Sequence, residues 1–145
     1  MTQSTNVETL DTTIQKTNEW LSTLAELLES DESTAYEALR ATISTVRDSL
    51  HRDEAAHLAA ELPMLIRGLY FTGWTPAQDP IRLDKEEFLE EVRRRGGLGF
   101  ESPDPAAAVL AVFHLLHEQL SEGEMDDVLG QLSGDVRDLI SPALL

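Results

Sequence analysis

Apolar positions recur along this chain at intervals of three and four, the period of an amphipathic helix, and few stretches alternate as a strand would. From Asp11, read as an N-cap, Ile14, Leu21, Leu24, Ala25 and Leu28 share one face. Ser33 is the next cap signal, ahead of a stripe of Tyr36, Leu39, Ile43, Val46 and Leu50. A third helix is predicted from about Asp53 to Leu62, with Leu58, Ala59 and Leu62 inward. Pro63 suits the first turn of a short fourth helix carrying Leu65, Ile66, Leu69 and Tyr70. Gly73 and residues 75–80, with their prolines and aspartate, interrupt the pattern.

The pattern then restarts. Asp84 and Glu87 have capping-box spacing, and Leu83 is placed to staple onto Phe88. That helix carries Phe88, Leu89 and Val92 and stops at Gly96 and Gly97. Asp104 and Pro105 open a sixth helix with Val109, Val112, Phe113, Leu116 and Leu120 on one side. Ser121 and Glu124 read as a second capping box, followed by Met125, Val128, Leu129 and Leu132. A last short helix holds Val136, Leu139 and Ile140 before Pro142.

The two halves superpose in sequence. Leu50, Glu54, Leu62, Arg67 and Leu69 fall on Leu120, Glu124, Leu132, Arg137 and Leu139 at a constant offset of 70. Upstream, Glu19, Trp20 and Leu21 fall on Glu87, Phe88 and Leu89 at an offset of 68. We expect a tandem duplication of a four-helix unit: repeat one at 11–74, a hinge at 75–80 and repeat two at 81–142, after a flexible arm at 1–10. A unit of about 60 residues is marginal alone, so two copies are expected to share one core. The predicted fold is therefore all-α, a single domain over 11–145 forming a compact bundle of about eight helices.

Composition narrows the partners. The 145 residues carry 11 Lys and Arg against 27 Asp and Glu, a net charge of −16. Such a surface repels nucleic acid and anionic membranes. The charge is spread evenly: residues 1–74 hold 5 cations and 12 anions, residues 75–145 hold 6 and 15. With no cysteine there is no disulfide framework and no thiolate chemistry, and the polar N-terminus lacks the pattern of a secretory signal, so a cytoplasmic location is expected. The longest apolar run, Ala106 to Phe113, is far short of a membrane span.

Several blocks resemble a known family. Residues 17–21 (Thr-Asn-Glu-Trp-Leu), 38–41 (Ala-Leu-Arg-Ala) and 54–58 (Glu-Ala-Ala-His-Leu) are similar to the bacterial and archaeal "domain of unknown function 2267". The run from Leu62 through Arg67 to Trp74 is the most specific of these motifs, and Glu87 to Leu89 and Ser121 to Leu139 add second-half blocks. The resemblance covers nearly the whole chain after about residue 10, and implies a small all-helical cytoplasmic protein with no assigned activity and no catalytic residues to transfer. Ser133 and Gly134 stand where the repeated motif leads one to expect Leu-Pro, which is expected to loosen the start of the last helix and weakens any transfer to Arg137.

Candidate chemistry is sparse. His114 and His117 lie three apart beside Glu118, but the spacing lacks the glutamate placement of a zinc protease, so no metal or cofactor is expected. Carboxylate pairs such as Glu86 with Glu90, Glu87 with Glu91 and Asp126 with Asp127 sit on solvent faces or first turns, where helix dipoles suffice to explain them. Arg93, Arg94 and Arg95 form the one basic run, read as cations at a helix C-terminus. Residues 96–99 contain three glycines but follow a helix, as a C-cap does and a phosphate loop does not. Arg67, Tyr70, Phe71 and Trp74, with Trp20 and Arg137, make the candidate interaction or inter-repeat patch, since Trp, Tyr and Arg serve both as binding anchors and as inter-unit packing.

The leading expectation is a non-enzymatic helical protein acting through protein–protein contacts, as an adaptor or homo-oligomer. A small-molecule or enzymatic bundle with a pocket lined by Trp20, Tyr36, Tyr70 and Trp74 is the alternative. An acidic mimic of nucleic acid that occupies a basic protein cleft is the third.

Overall fold

The computed structural model describes residues 5–96 and 104–145. Among them are eight α-helices and no strand: α1 (Glu8–Leu28), α2 (Glu32–Ser49), α3 (Arg52–Ala60), α4 (Met64–Phe71), α5 (Lys85–Arg95), α6 (Pro105–Gln119), α7 (Glu122–Gln131) and α8 (Gly134–Ile140), followed by a 3-10 turn at Ser141–Leu144. No helix among these residues is long and apolar enough to cross a membrane.

Local chemistry explains most of the boundaries. Asp84 accepts from the Glu87 N–H at 2.8 Å while Glu87 Oε1 accepts from the Asp84 N–H at 2.9 Å, a complete capping box. Asp104 caps α6 with Pro105 in its first turn. Other starts differ from expectation. α1 begins at Glu8, so residues 8–10 belong to a helix and not to an arm, and Asp11 sits inside the first turn accepting from the Thr5 N–H. Asp31, not Ser33, caps α2 through the Thr34 N–H. Ser133 firmly caps α8 by accepting from the Val136 N–H, so the departure from Leu-Pro does not loosen that start. Gly97 and the rest of the glycine run lie outside the described residues.

Two helices run through the middle. α2 packs on α1, α4, α5 and α6, and α6 packs on α1, α2, α5, α7 and α8. Each is buried around much of its circumference, with small Ala35, Ala38 and Ala41 on α2 and Ala108 and Ala111 on α6 permitting close approach. Phe88, Phe113, Leu39 and Ile43 fill the space between them and their neighbours, each contributing roughly 1.5–3 kcal/mol through burial. Tyr36 and Leu65, both expected inward, are exposed. Ala35 takes the inward place one residue earlier on α2, and Ile66 and Tyr70 supply the buried face of α4.

The segment between α4 and α5 is tied down. Gly73 adopts a positive φ of 79° that closes the end of α4. Further on, the Ile81 N–H donates to the Asp48 carbonyl at 2.8 Å.

Candidate functional site

The first concentration of chemistry lies where α3 packs against α7. Each helix carries a glutamate three residues after its N-cap: Glu54 after His51, Glu124 after Ser121. In an ordinary capping box that glutamate folds back onto the N-cap N–H. Here the acceptor comes instead from across the seam. The His51 N–H donates to Gln131 Oε1 at 2.8 Å, and the Ser121 N–H donates to Glu61 Oε1 at 2.7 Å, with the Ser121 hydroxyl on Glu61 Oε2 at 2.8 Å. Ser121 still caps α7 by accepting from the Glu124 N–H, so the expected box is present only in half.

The glutamates freed from capping turn into the seam. Glu54 and Glu124 are each only 8% exposed, and Oε2 of each is buried without a hydrogen-bond partner. Asp127, exposed and one turn beyond Glu124, brings a third carboxylate, and one oxygen from each of the three lies within 4.8 Å of the others. Burial, reinforced by the facing Glu54 and by the negative charges of Glu61 and Asp127, pushes the Glu124 carboxyl up to about 8. Tyr70 lies near enough to feel both glutamates. Its hydroxyl donates to the Ala55 carbonyl at 2.9 Å, and burial holds it well above the ordinary tyrosine range.

The second concentration is an open groove of about 600 Å³ between the first half of α1 and the start of α4. Trp20, Leu62, Pro63 and Met64 supply its apolar lining, and Glu8, Lys16, Glu61 and Arg67 its charges. The Leu65 N–H donates to Thr13 Oγ1 at 3.1 Å, which pins α4 to α1 there. Met64 and Leu65 on α4, and Val7 and Leu10 flanking the lining residues of α1, are each 41–49% exposed. Of these four, Met64 lines the groove itself, a large apolar side chain standing in solvent within it.

The six residues singled out in the sequence fall in three places. Trp20 and Arg67 line the groove. The Arg67 Nε donates to the Ala59 carbonyl at 2.9 Å and Nη2 to that of Leu62 at 3.2 Å, so its guanidinium closes the end of α3. Arg137 does the same for α7 through the Leu129 carbonyl at 3.3 Å. Tyr70 is wholly buried, while half-buried Phe71 stacks on Trp74 with ring centroids 5.0 Å apart. The pocket expected from Trp20, Tyr36, Tyr70 and Trp74 is not assembled, since Tyr70 has no exposed surface and Tyr36 stands 42% exposed on α2.

Other candidates take structural places. Arg93 pairs with Glu90, Arg94 with Glu91, and Arg95 with both Glu91 and Asp48. The arginine hydrogen bonds hold the Glu90 and Glu91 carboxyls below their ordinary range. His114 bridges Glu118 and the Ala143 carbonyl, and His117 is exposed. One charged residue passed unnoticed in the sequence. Arg47 is only 4% exposed and donates to the carbonyls of Tyr70 (2.7 Å) and Thr72 (2.9 Å) while pairing bidentately with Asp48. Its signal was available: an arginine one turn after Ile43 and three residues before Leu50, at the edge of the apolar stripe.

Among known families, one described as an uncharacterized conserved protein (DUF2267) matches residues 17–139. No curated protein matches the chain.

Proposed function

The chain belongs to the DUF2267 family of uncharacterized conserved proteins, and from that premise we propose that it acts by protein–protein contact, docking an apolar segment of a basic partner in the groove between α1 and α4. The observation that carries the proposal is the groove itself, with Trp20, Leu62 and Pro63 in its lining and Met64 presented to solvent there. Its lining charges cancel, Glu8 and Glu61 against Lys16 and Arg67, so the field of the whole molecule decides the sign of the partner. At −16 that field draws a cationic protein and repels an anionic one. A cytoplasmic setting suits a cysteine-free chain of this composition.

We also take the scaffold to be two copies of a four-helix unit. In support, the two cross-seam bonds are reciprocal: His51 with Gln131 and Ser121 with Glu61 exchange places under the offset of 70. The bonds of Arg67 to Ala59 and of Arg137 to Leu129 obey the same offset, and Glu54 faces its own counterpart Glu124. An internal two-fold relation produces pairings of this kind.

The test is affinity capture from the native cell with three baits: wild type, Met64→Asp/Leu65→Asp, and Leu27→Asp. Leu27, 43% exposed, stands about 10 Å along α1 beyond Trp20, the nearest lining residue of that helix, at 1.5 Å per residue, and serves as the surface control. Wild type and Leu27→Asp are expected to recover the same basic protein, released as salt rises, and the groove variant to lose it more than about tenfold. Equal recovery by all three baits, or recovery of nothing beyond a second copy of this chain, would overturn the proposal.

A further inference from the structure

We propose that Glu54, Glu124 and Asp127 bind one hard divalent cation, of the Mg²⁺, Mn²⁺ or Ca²⁺ class, in the seam between α3 and α7. The strongest ground is the pair of orphaned oxygens. Glu54 and Glu124 are more than nine-tenths buried, and each keeps an Oε2 that no hydrogen-bond donor reaches. A buried carboxylate without a donor is costly, and two on facing helices need positive charge between them.

The fold also goes out of its way to place them there. Each glutamate occupies the position from which it would ordinarily cap its own helix, and each is relieved of that task by a side chain from the other helix, Gln131 or Glu61. Asp127 then completes a set whose three oxygens lie within 4.8 Å of one another. Oxygens on opposite sides of a cation at about 2.3–2.6 Å are separated by about this distance, so the three can share one ion. All donors are oxygen, which selects a hard cation over zinc or copper. Asp127 is exposed, giving the ion an entry path and leaving room for water in its remaining positions. A single shared proton would cancel one of up to three negative charges, whereas a dication cancels two.

The other acidic cluster, Asp84, Glu86 and Asp135, is wholly exposed, and two of its carboxylates already have donors: the Glu87 N–H on Asp84 and the Lys85 N–H on Asp135. It serves as the control. The cation site is independent of the groove, although Glu61 lines one and borders the other.

Protein stripped with chelator and dialysed should be titrated with Mn²⁺, following the loss of the free-ion electron paramagnetic resonance signal. One Mn²⁺ per chain is expected with Kd below about 1 mM, displaced by Ca²⁺ or Mg²⁺, and raising the melting temperature. Glu54→Gln and Glu124→Gln are expected to abolish binding, Asp127→Asn to weaken it about tenfold, and Asp135→Asn to leave it unchanged. Circular dichroism establishes that each variant is helical, and because Asp127 is exposed its variant carries the test should a buried variant fail to fold. No saturable Mn²⁺ binding below 1 mM, binding unaltered by Asp127→Asn, or binding lost with Asp135→Asn would each overturn the proposal.

Discussion

Replacing Glu124 with glutamine is expected to stabilise the metal-free protein at pH 8 and to flatten its stability between pH 5 and 8. The folded Glu124 carboxyl is raised from 4.5 to about 8, so the folded chain holds its proton more tightly than the unfolded chain does. The stabilisation due to that proton is therefore fully present below about pH 4.5, falls as pH rises, and is gone above about pH 8. Its ceiling is about 5 kcal/mol at 1.36 kcal/mol per pH unit, and solvent at the Asp127 edge brings the expected loss to about 2–3 kcal/mol. In chelator, the wild-type melting temperature should drop by about 5–10 °C between pH 5 and pH 8. The glutamine variant should change little, because its amide can donate to Glu54 at every pH. Parallel melting curves for the two proteins across this range would show that burial does not raise the Glu124 carboxyl in the folded chain.

The second large effect is expected at Arg47. Changing it to methionine preserves length and apolar contact but removes donors to the Tyr70 and Thr72 carbonyls and breaks the bidentate pair with Asp48. Asp48 keeps Arg95 at 2.9 Å, so the loss falls mainly on the end of α4, whose carbonyls would be left without partners. Removing one partner from a buried charged network costs about 3–5 kcal/mol, and chemical denaturation of Arg47→Met should read a loss near the lower figure. Arg47→Lys is expected to recover only part of it, since an ammonium cannot span two carbonyls and a carboxylate at once. A loss below about 0.5 kcal/mol for Arg47→Met would mean that water replaces the guanidinium there.

The helices were legible because their causes are local. Asp84 with Glu87 and Asp104 with Pro105 announce their helices within four residues, and the apolar stripes of α2 and α6 follow the helical period across nearly their whole length. The site was less legible because its causes are not local. Ser121 and Glu124 have the spacing of a capping box, but Glu61, 60 residues away, takes the N–H that Glu124 would have accepted. Glu54 and Glu124 could be aligned by the offset of 70, yet alignment says nothing of whether two glutamates meet. Acid–base pairs sought as neighbours along one helix, such as Glu87 with Glu91, missed a pair formed between helices. Leu65 failed for a related reason: on an eight-residue helix, Ile66 and Tyr70 already fill the inward face, and the remaining leucine is left in solvent.

The groove can be watched directly through methionine. The chain has three, Met1, Met64 and Met125; Met64 stands 46% exposed on the groove, and Met125 is 4% exposed in the core beside Glu124. In protein labelled with ¹³C at the methionine methyl groups, the partner recovered by capture should be added to saturation. A shifted Met64 methyl with Met125 unmoved is the predicted result. Saturation that leaves Met64 in place would put the partner on another face and contradict the groove as the docking site.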